Sequence, residues 1–191
     1  SYVVNKLGLE QLVLLGDDST VTRLTALSVD TQNYFRKLAG YDTLRLVLAK
    51  KVVLVEGPSD ELIFQRAYHD RHGKRPIEDG IDTISVRGLS AKRFLDLAIP
   101  LQRTAVVLID NDGDHAAKVD QRYASYATHS FITLARSSDD SLPTLEPQLL
   151  GANGLQAVNT ILGTSFATDD EFLNHARGHK TDVAVAFYDT T

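Results

Sequence analysis

The chain has 191 residues, 43% of them hydrophobic, which suits one domain with a real core, or a core with a small helical appendage. It contains no cysteine, which excludes disulfides, thiolate metal sites and a thiolate nucleophile and fits a reducing compartment. A formal net charge of −5 argues against a protein that coats nucleic acid by bulk charge, but not against a nuclease whose carboxylate site is reversed in sign by cations.

No uninterrupted apolar run is long enough to span a bilayer, and no signal-peptide pattern opens the chain. With Ser1 at its start and no methionine anywhere, it reads as a fragment of something longer. There is no GxxxxGK[ST] phosphate loop, so these residues are not themselves a P-loop ATPase.

Residues 1–50 are predicted to be helical, from apolar positions at mixed three- and four-residue spacing broken at Gly40. The pattern changes at Lys51. "KVVLVEG" is a short β-branched run that ends at glycine and predicts a buried strand. "PSDELIFQRAYHDRHG" predicts a helix, with Pro58 and Ser59 at its start, Asp60 and Glu61 in its first turn and Gly73 as its stop. The alternation then repeats. Strands are expected at Ile81–Val86, Thr104–Ile109 and His129–Ala135, and helices at "LSAKRFLDLAIPL" and "HAAKVDQRYASYA". A polar loop, "RSSDDSLPTLEPQLL", follows, and then a mostly helical tail to about Gly178. Strands alternating with helices predict an α/β fold with a parallel sheet and right-handed crossovers.

In such sheets ligands bind beyond the carboxyl ends of the strands. Two strands end in acid there. The first ends at Glu56, before Gly57, and "VLIDNDGD" ends the third with Asp110, Asp112 and Asp114. Asp60 falls in the first turn of the helix after the first strand and is expected on the same rim. Clustered carboxylates repel unless something positive lies between them. Glu56, Asp60, Asp110 and Asp112 therefore predict a site for hard divalent cations, with room for two.

Each acid also has a plainer explanation. Glu56 would be polar at a strand end, Asp60 would serve the helix dipole, and Asp112 and Asp114 would form a turn beside Gly113. A calcium EF-hand loop counted from Asp110 fails, because its sixth position is His115 and its twelfth is Gln121. A strand followed by DxDG also resembles the haloacid-dehalogenase-type phosphatases. There the glycine is followed by threonine or serine, whereas Asp114 stands in that place here.

"VEGPSDE" followed some fifty residues on by "VLIDNDGD" resembles the Toprim domain of topoisomerases, bacterial primases and several nucleases. "YFRKLAGYDTLRLVLAKKVVLVEGPSDELIF", "ISVRGLSAKRFLDLA", "TLEPQLL" and "GHKTDVA" are most similar to the C-terminal region of the OLD (overcoming lysogenisation defect) nucleases. The resemblance runs from about Thr31 to Ala186. It implies a Toprim-type parallel sheet at residues 51–150, a helical segment at 1–50 and a mostly helical one at 151–191.

The resemblance further implies two Mg²⁺ or Mn²⁺ ions held by Glu56, Asp60, Asp110, Asp112 and Glu146. Glu56 would double as general base and Lys180 would offset charge on the scissile phosphate. Gly57 and Gly88 would let backbone approach closely. Arg87, Gly88, Lys92 and Arg93, around a helix start, would grip the DNA backbone. Taken alone, Glu146 is a loop acid, Lys180 a solvated lysine, and Arg87, Lys92 and Arg93 a charged helix surface.

The activity implied is DNA endonuclease, in a bacterial cytoplasmic protein without a membrane segment. An N-terminal ABC-type ATPase domain of the same protein would be its partner, and a homodimer could form through the full-length protein. The alternatives are a primase- or topoisomerase-like Toprim activity, a non-catalytic metal- or nucleic-acid-binding module, and a phosphatase.

Overall fold

A computed structural model describes residues 13–15, 21–23, 28–31, 33, 41–86 and 90–190. Strands β3 (Lys51–Val55), β4 (Ile81–Ser85), β5 (Thr104–Leu108) and β6 (Ile132–Ala135) form one sheet in the order β4-β3-β5-β6. All three pairings are parallel, and Val53 lies opposite Thr83 on one side and Val106 on the other. β3 is central, and Val52, Val53, Leu54 and Val55 are all buried. A strand covered on both faces needs such a continuous apolar run rather than alternation.

Helix α1 (Tyr41–Leu48) precedes the sheet, α2 (Pro58–His72) follows β3, and α3 (Ala91–Ala98) follows β4. Proline opens α2, where the missing N–H costs nothing. Gly73 closes it in the left-handed conformation, φ 68°, donating its N–H to the His69 carbonyl at 2.7 Å. Phe94, Leu95, Leu97 and Ala98 of α3 pack with Leu46, Val47, Leu54, Ile84 and Val107 in the first core.

The 1–50 segment departs from the helical expectation. β1 (Val13–Leu15) and β2 (Val21–Arg23) pair antiparallel, with Val13 opposite Arg23. Strands of three residues are too short to show a two-residue period, so the apolar spacing read as helical. The sequence between them, GDDST, is made of turn formers. After β5, a π-helical stretch at Ala116–Gln121 and a series of turns stand where a regular helix was expected.

The tail also differs. The polar loop stops at Thr144, because α4 (Leu145–Asn153) begins inside the stretch expected to be loop. Pro147 is compatible with this because a first helical turn needs no N–H from it. α5 (Leu155–Leu162), α6 (Asp169–Gly178) and α7 (Lys180–Asp189) follow, so helix continues well past Gly178. Thr168 caps α6 by accepting the Glu171 N–H, and Glu171 accepts the Ala167 N–H in return.

These four helices close a second core around Phe172, Val158, Leu150 and Val183, and Ile63 of α2 packs against it. α2 thus touches both cores. Arg66 of α2 donates to the Phe187 and Tyr188 carbonyls at 3.3 and 3.1 Å, which satisfies the open end of α7. Among the described residues no helix is long and apolar enough to cross a membrane.

Candidate metal centre

The connection after β3 leads to one flank of the sheet and the connection after β5 to the other. β3 and β5 are neighbours, so a crevice opens at their carboxyl ends, the usual ligand position in such folds. Glu56 follows β3 there, and Asp110 lies just beyond β5. The Glu56 carboxylate accepts the Asp110 backbone N–H at 3.3 Å, which joins the two strand ends directly.

Asp60 is the third residue of α2. Its carboxylate accepts the Gly57 N–H at 2.9 Å. A Cβ on Gly57 would meet that carboxylate at 3.4 Å, an ordinary contact, so the expected need for glycine here is not seen in the packing.

The loop after β5 is held by a residue between the acids. Asn111 is fully buried, and its amide donates to the Ser137 and Asp139 carbonyls at 3.2 and 2.9 Å. Its side-chain carbonyl accepts the Gly113 N–H at 2.9 Å. Asp112 takes a left-handed backbone, φ 48°, and donates its N–H to the Pro143 carbonyl at 3.2 Å. Such conformations persist only where the surroundings enforce them, and they gather at functional sites. Asn111 was not singled out from the sequence, because a buried clamp and an ordinary turn asparagine look alike there. Asp114 accepts the Ala117 N–H at 2.9 Å, so it serves the start of the π-helical stretch.

The same tie positions Glu146. The segment that Asn111 and Asp112 bind, residues 137–143, runs directly into α4. Glu146 is buried and accepts the Thr144 hydroxyl at 2.8 Å. Its other oxygen lies 3.2 Å from the Lys180 ammonium, at the first residue of α7. The second core therefore delivers a cation to the acids.

The electrostatics join these groups into one cluster. Asp110 is pushed up to about 7, first by burial and then by Glu56, Asp60, Glu146 and Asp112. Glu56 is raised by burial, opposed by its Asp110 hydrogen bond, and raised again by Asp60 and Asp112. Asp60 is raised by burial and Glu146, against the pull of the Gly57 N–H and Lys180. Like charges this close favour a proton or a cation between them.

Among the described residues, no group of three or more acidic or histidine side chains is already drawn together as a ligand shell for one ion. The donors themselves are all carboxylate oxygens, the chemistry that hard divalent cations require. The cluster fits such an ion by charge and donor type.

Arg87 and Gly88 lie outside the described residues. Lys92, in the first turn of α3, has its ammonium 5.4 Å from the centre of the Tyr123 ring. Arg93 forms an ion pair with Asp30 and donates to the Thr31 hydroxyl at 3.4 Å, so it ties residues 30 and 31 to α3. Arg122 is the cation that the sequence did not single out. It shares a cavity of about 300 Å³ with Glu56, Asp112, Ser90 and Tyr123. Nothing in "DQRYA" distinguishes it from a surface arginine.

Comparison with known proteins agrees with this architecture. Residues 47–112 match the family described as overcoming lysogenization defect protein-like, TOPRIM domain. Two solved structures of the C-terminal region of the OLD protein of Xanthomonas campestris pv. campestris are similar in fold. The one phased with mercury has a TM-score of 0.51 at 18% identity, covering 75% of this chain and 87% of that one. The one phased with iodine gives 0.52 at 18% identity, covering 75% and 86%. No curated protein matched the sequence.

Proposed function

With residues 47–112 an OLD-like Toprim domain, we propose that this chain is a divalent-metal-dependent DNA endonuclease that hydrolyses phosphodiester bonds at the ends of β3 and β5. The observation that carries this reading is Asp110, whose proton affinity is raised first by burial and then by four other carboxylates at the sheet's ligand crevice. Glu56, Asp60, Asp110, Asp112 and Glu146 would hold two Mg²⁺ or Mn²⁺ ions. Bound there, such ions supply activation of a water and neutralisation of the leaving oxygen.

The chain's own groups have distinct roles. Glu56 stands at the β3 end beside the Asp110 N–H, and its raised proton affinity suits a group that accepts a proton from the attacking water. Asp110 and Asp112 are held by the Asn111 clamp, so their carboxylates need little reorganisation. Lys180 sits beside Glu146, 3.2 Å away, where it would offset charge on the scissile phosphate. DNA is the partner we propose. That both solved neighbours are C-terminal regions supports a second partner, an ABC-type ATPase region of the same polypeptide.

The test is conversion of supercoiled plasmid by the purified chain with Mg²⁺, Mn²⁺, Ca²⁺ or EDTA, beside Asp110→Ala. Cleavage with Mg²⁺ or Mn²⁺ that is lost in EDTA and in the variant is the expected result. Cleavage that survives Asp110→Ala would overturn the mechanism. Metal binding with no cleavage would favour a binding module.

A further inference from the structure

The line of acids separates two unlike clefts. Glu56 and Asp112 border the smaller one, together with Arg122 and Ser90. Asp60 and Asp110 border the larger, about 690 Å³, between α2 and α4. Its walls are mainly apolar, from Ile63 and Phe64 of α2, Ile109 after β5, and Leu142 and Leu145, with Gln148 and Arg136 as polar members, the arginine held by Asp120. It reaches solvent at Gly151 and Ala152, both exposed. This volume is within the range that holds one small organic group.

The pairing of walls and floor narrows the occupant. Carboxylates that hold cations draw phosphate to one end of the cleft, while the rest of it rewards a flat, weakly polar group. A nucleotide joins those two chemistries in one unit. A base inside a duplex has its faces covered by its neighbours, so only an unpaired base has a face to offer. The opposite cleft, with Arg122 on its rim, is suited to backbone instead.

We propose that the cleft between α2 and α4 takes the unpaired base next to the scissile phosphate, so that the preferred substrate is DNA that is single-stranded, gapped or flapped at the cut. This rests on the nuclease reading above and adds the class of DNA.

Gly151 gives the test. A Cβ built there meets only the Leu142 side chain, at 3.7 Å, so Gly151→Leu extends into the cleft without displacing backbone. Leucine also suits the helix better than glycine. The intact chain is assayed with Mn²⁺ on one sequence presented as a full duplex, a gapped duplex and a single strand. The unpaired forms are expected to be cut about tenfold faster, the size that one stacked base is worth. Gly151→Leu should lose that preference while keeping its duplex rate and its Mn²⁺ affinity. A second arm places 2-aminopurine beside the cut in Ca²⁺. Its fluorescence should change on binding to the wild type and not to Gly151→Leu.

Equal rates on paired and unpaired DNA, as would follow if another part of the polypeptide filled the cleft, would overturn the proposal. So would a preference that survives Gly151→Leu. If the wild type cut no DNA with either metal, the nuclease reading would fail. The fluorescence arm would then decide the cleft alone: a Gly151→Leu-sensitive signal upholds it, and no signal overturns it.

Discussion

Asp110 concentrates the conflict in this site. Folding buries its carboxyl among other acids and raises it to about 7, whereas an unfolded aspartate titrates near 3.9. Between those values the folded state holds the extra proton, so the group's contribution to stability falls as pH rises from about 4 through 7. Asp110→Asn removes that cost. In EDTA at pH 8 the variant should melt a few degrees above the wild type. The gap should narrow toward about pH 4 and close below it, where the aspartate is protonated in the unfolded state as well as the folded one. Differential scanning calorimetry across that range checks it, and a wild-type curve that rises between pH 5 and 8 relative to the variant would reverse the sign.

Lys180 is the opposite case. Its side chain is about half exposed, but its partner Glu146 is buried, so removing the cation leaves a carboxylate among acids with only the Thr144 hydroxyl. Lys180→Met should lower the melting temperature by a few degrees while cutting the cleavage rate about 10²-fold or more. The sequence showed the acids because carboxylates at strand ends are conspicuous. It did not show Asn111, whose role depends on the 137–143 segment lying against it.

At the scale of elements, that clamp joins two parts of the chain. Asn111→Ala would leave the Ser137 and Asp139 carbonyls and the Gly113 N–H without their partner. The cost should be about 3 kcal/mol in urea unfolding, with a lower metal affinity as well, because Asp110 and Asp112 lose their mooring. Phe172 does the equivalent for Lys180. It is fully buried in the second core, so Phe172→Ala should cost about 3–5 kcal/mol by the same measurement and weaken cleavage by loosening α7.

The central elements were legible because local signals agreed with the fold. β3 reads as a strand from an unbroken Val-Val-Leu-Val run, and α2 from Pro58 at its start and Gly73 at its end. β1 and β2 were not, since three residues carry no period. The start of α4 was hidden by the polar loop ahead of it and by Pro147, which looks like a breaker unless the turn is known to be the first.

For the whole molecule, the two cores meet at α2, with Asp60 near its start and Ile63 one turn on. Neither core alone carries the full set of charges: the sheet supplies Glu56, Asp110 and Asp112, and the helical tail supplies Glu146 and Lys180. The sheet could be inferred from alternation of apolar runs. That the tail folds back to the same rim was implied only by the family resemblance, because no local pattern shows the packing against α2 that brings Lys180 toward Asp60 and Glu146.

A ligand held between acids should stabilise the fold. Mn²⁺ at about one hundred times its dissociation constant should add about 2.7 kcal/mol per bound ion to the wild type and much less to Asp110→Asn. The most direct measurement of the central claim is a count of bound Mn²⁺ per chain by electron paramagnetic resonance, wild type beside Asp110→Ala, on protein also assayed for plasmid cleavage. Two bound ions with cleavage in the wild type, and neither in the variant, is the result predicted. Full Mn²⁺ occupancy or full cleavage retained by Asp110→Ala would contradict it.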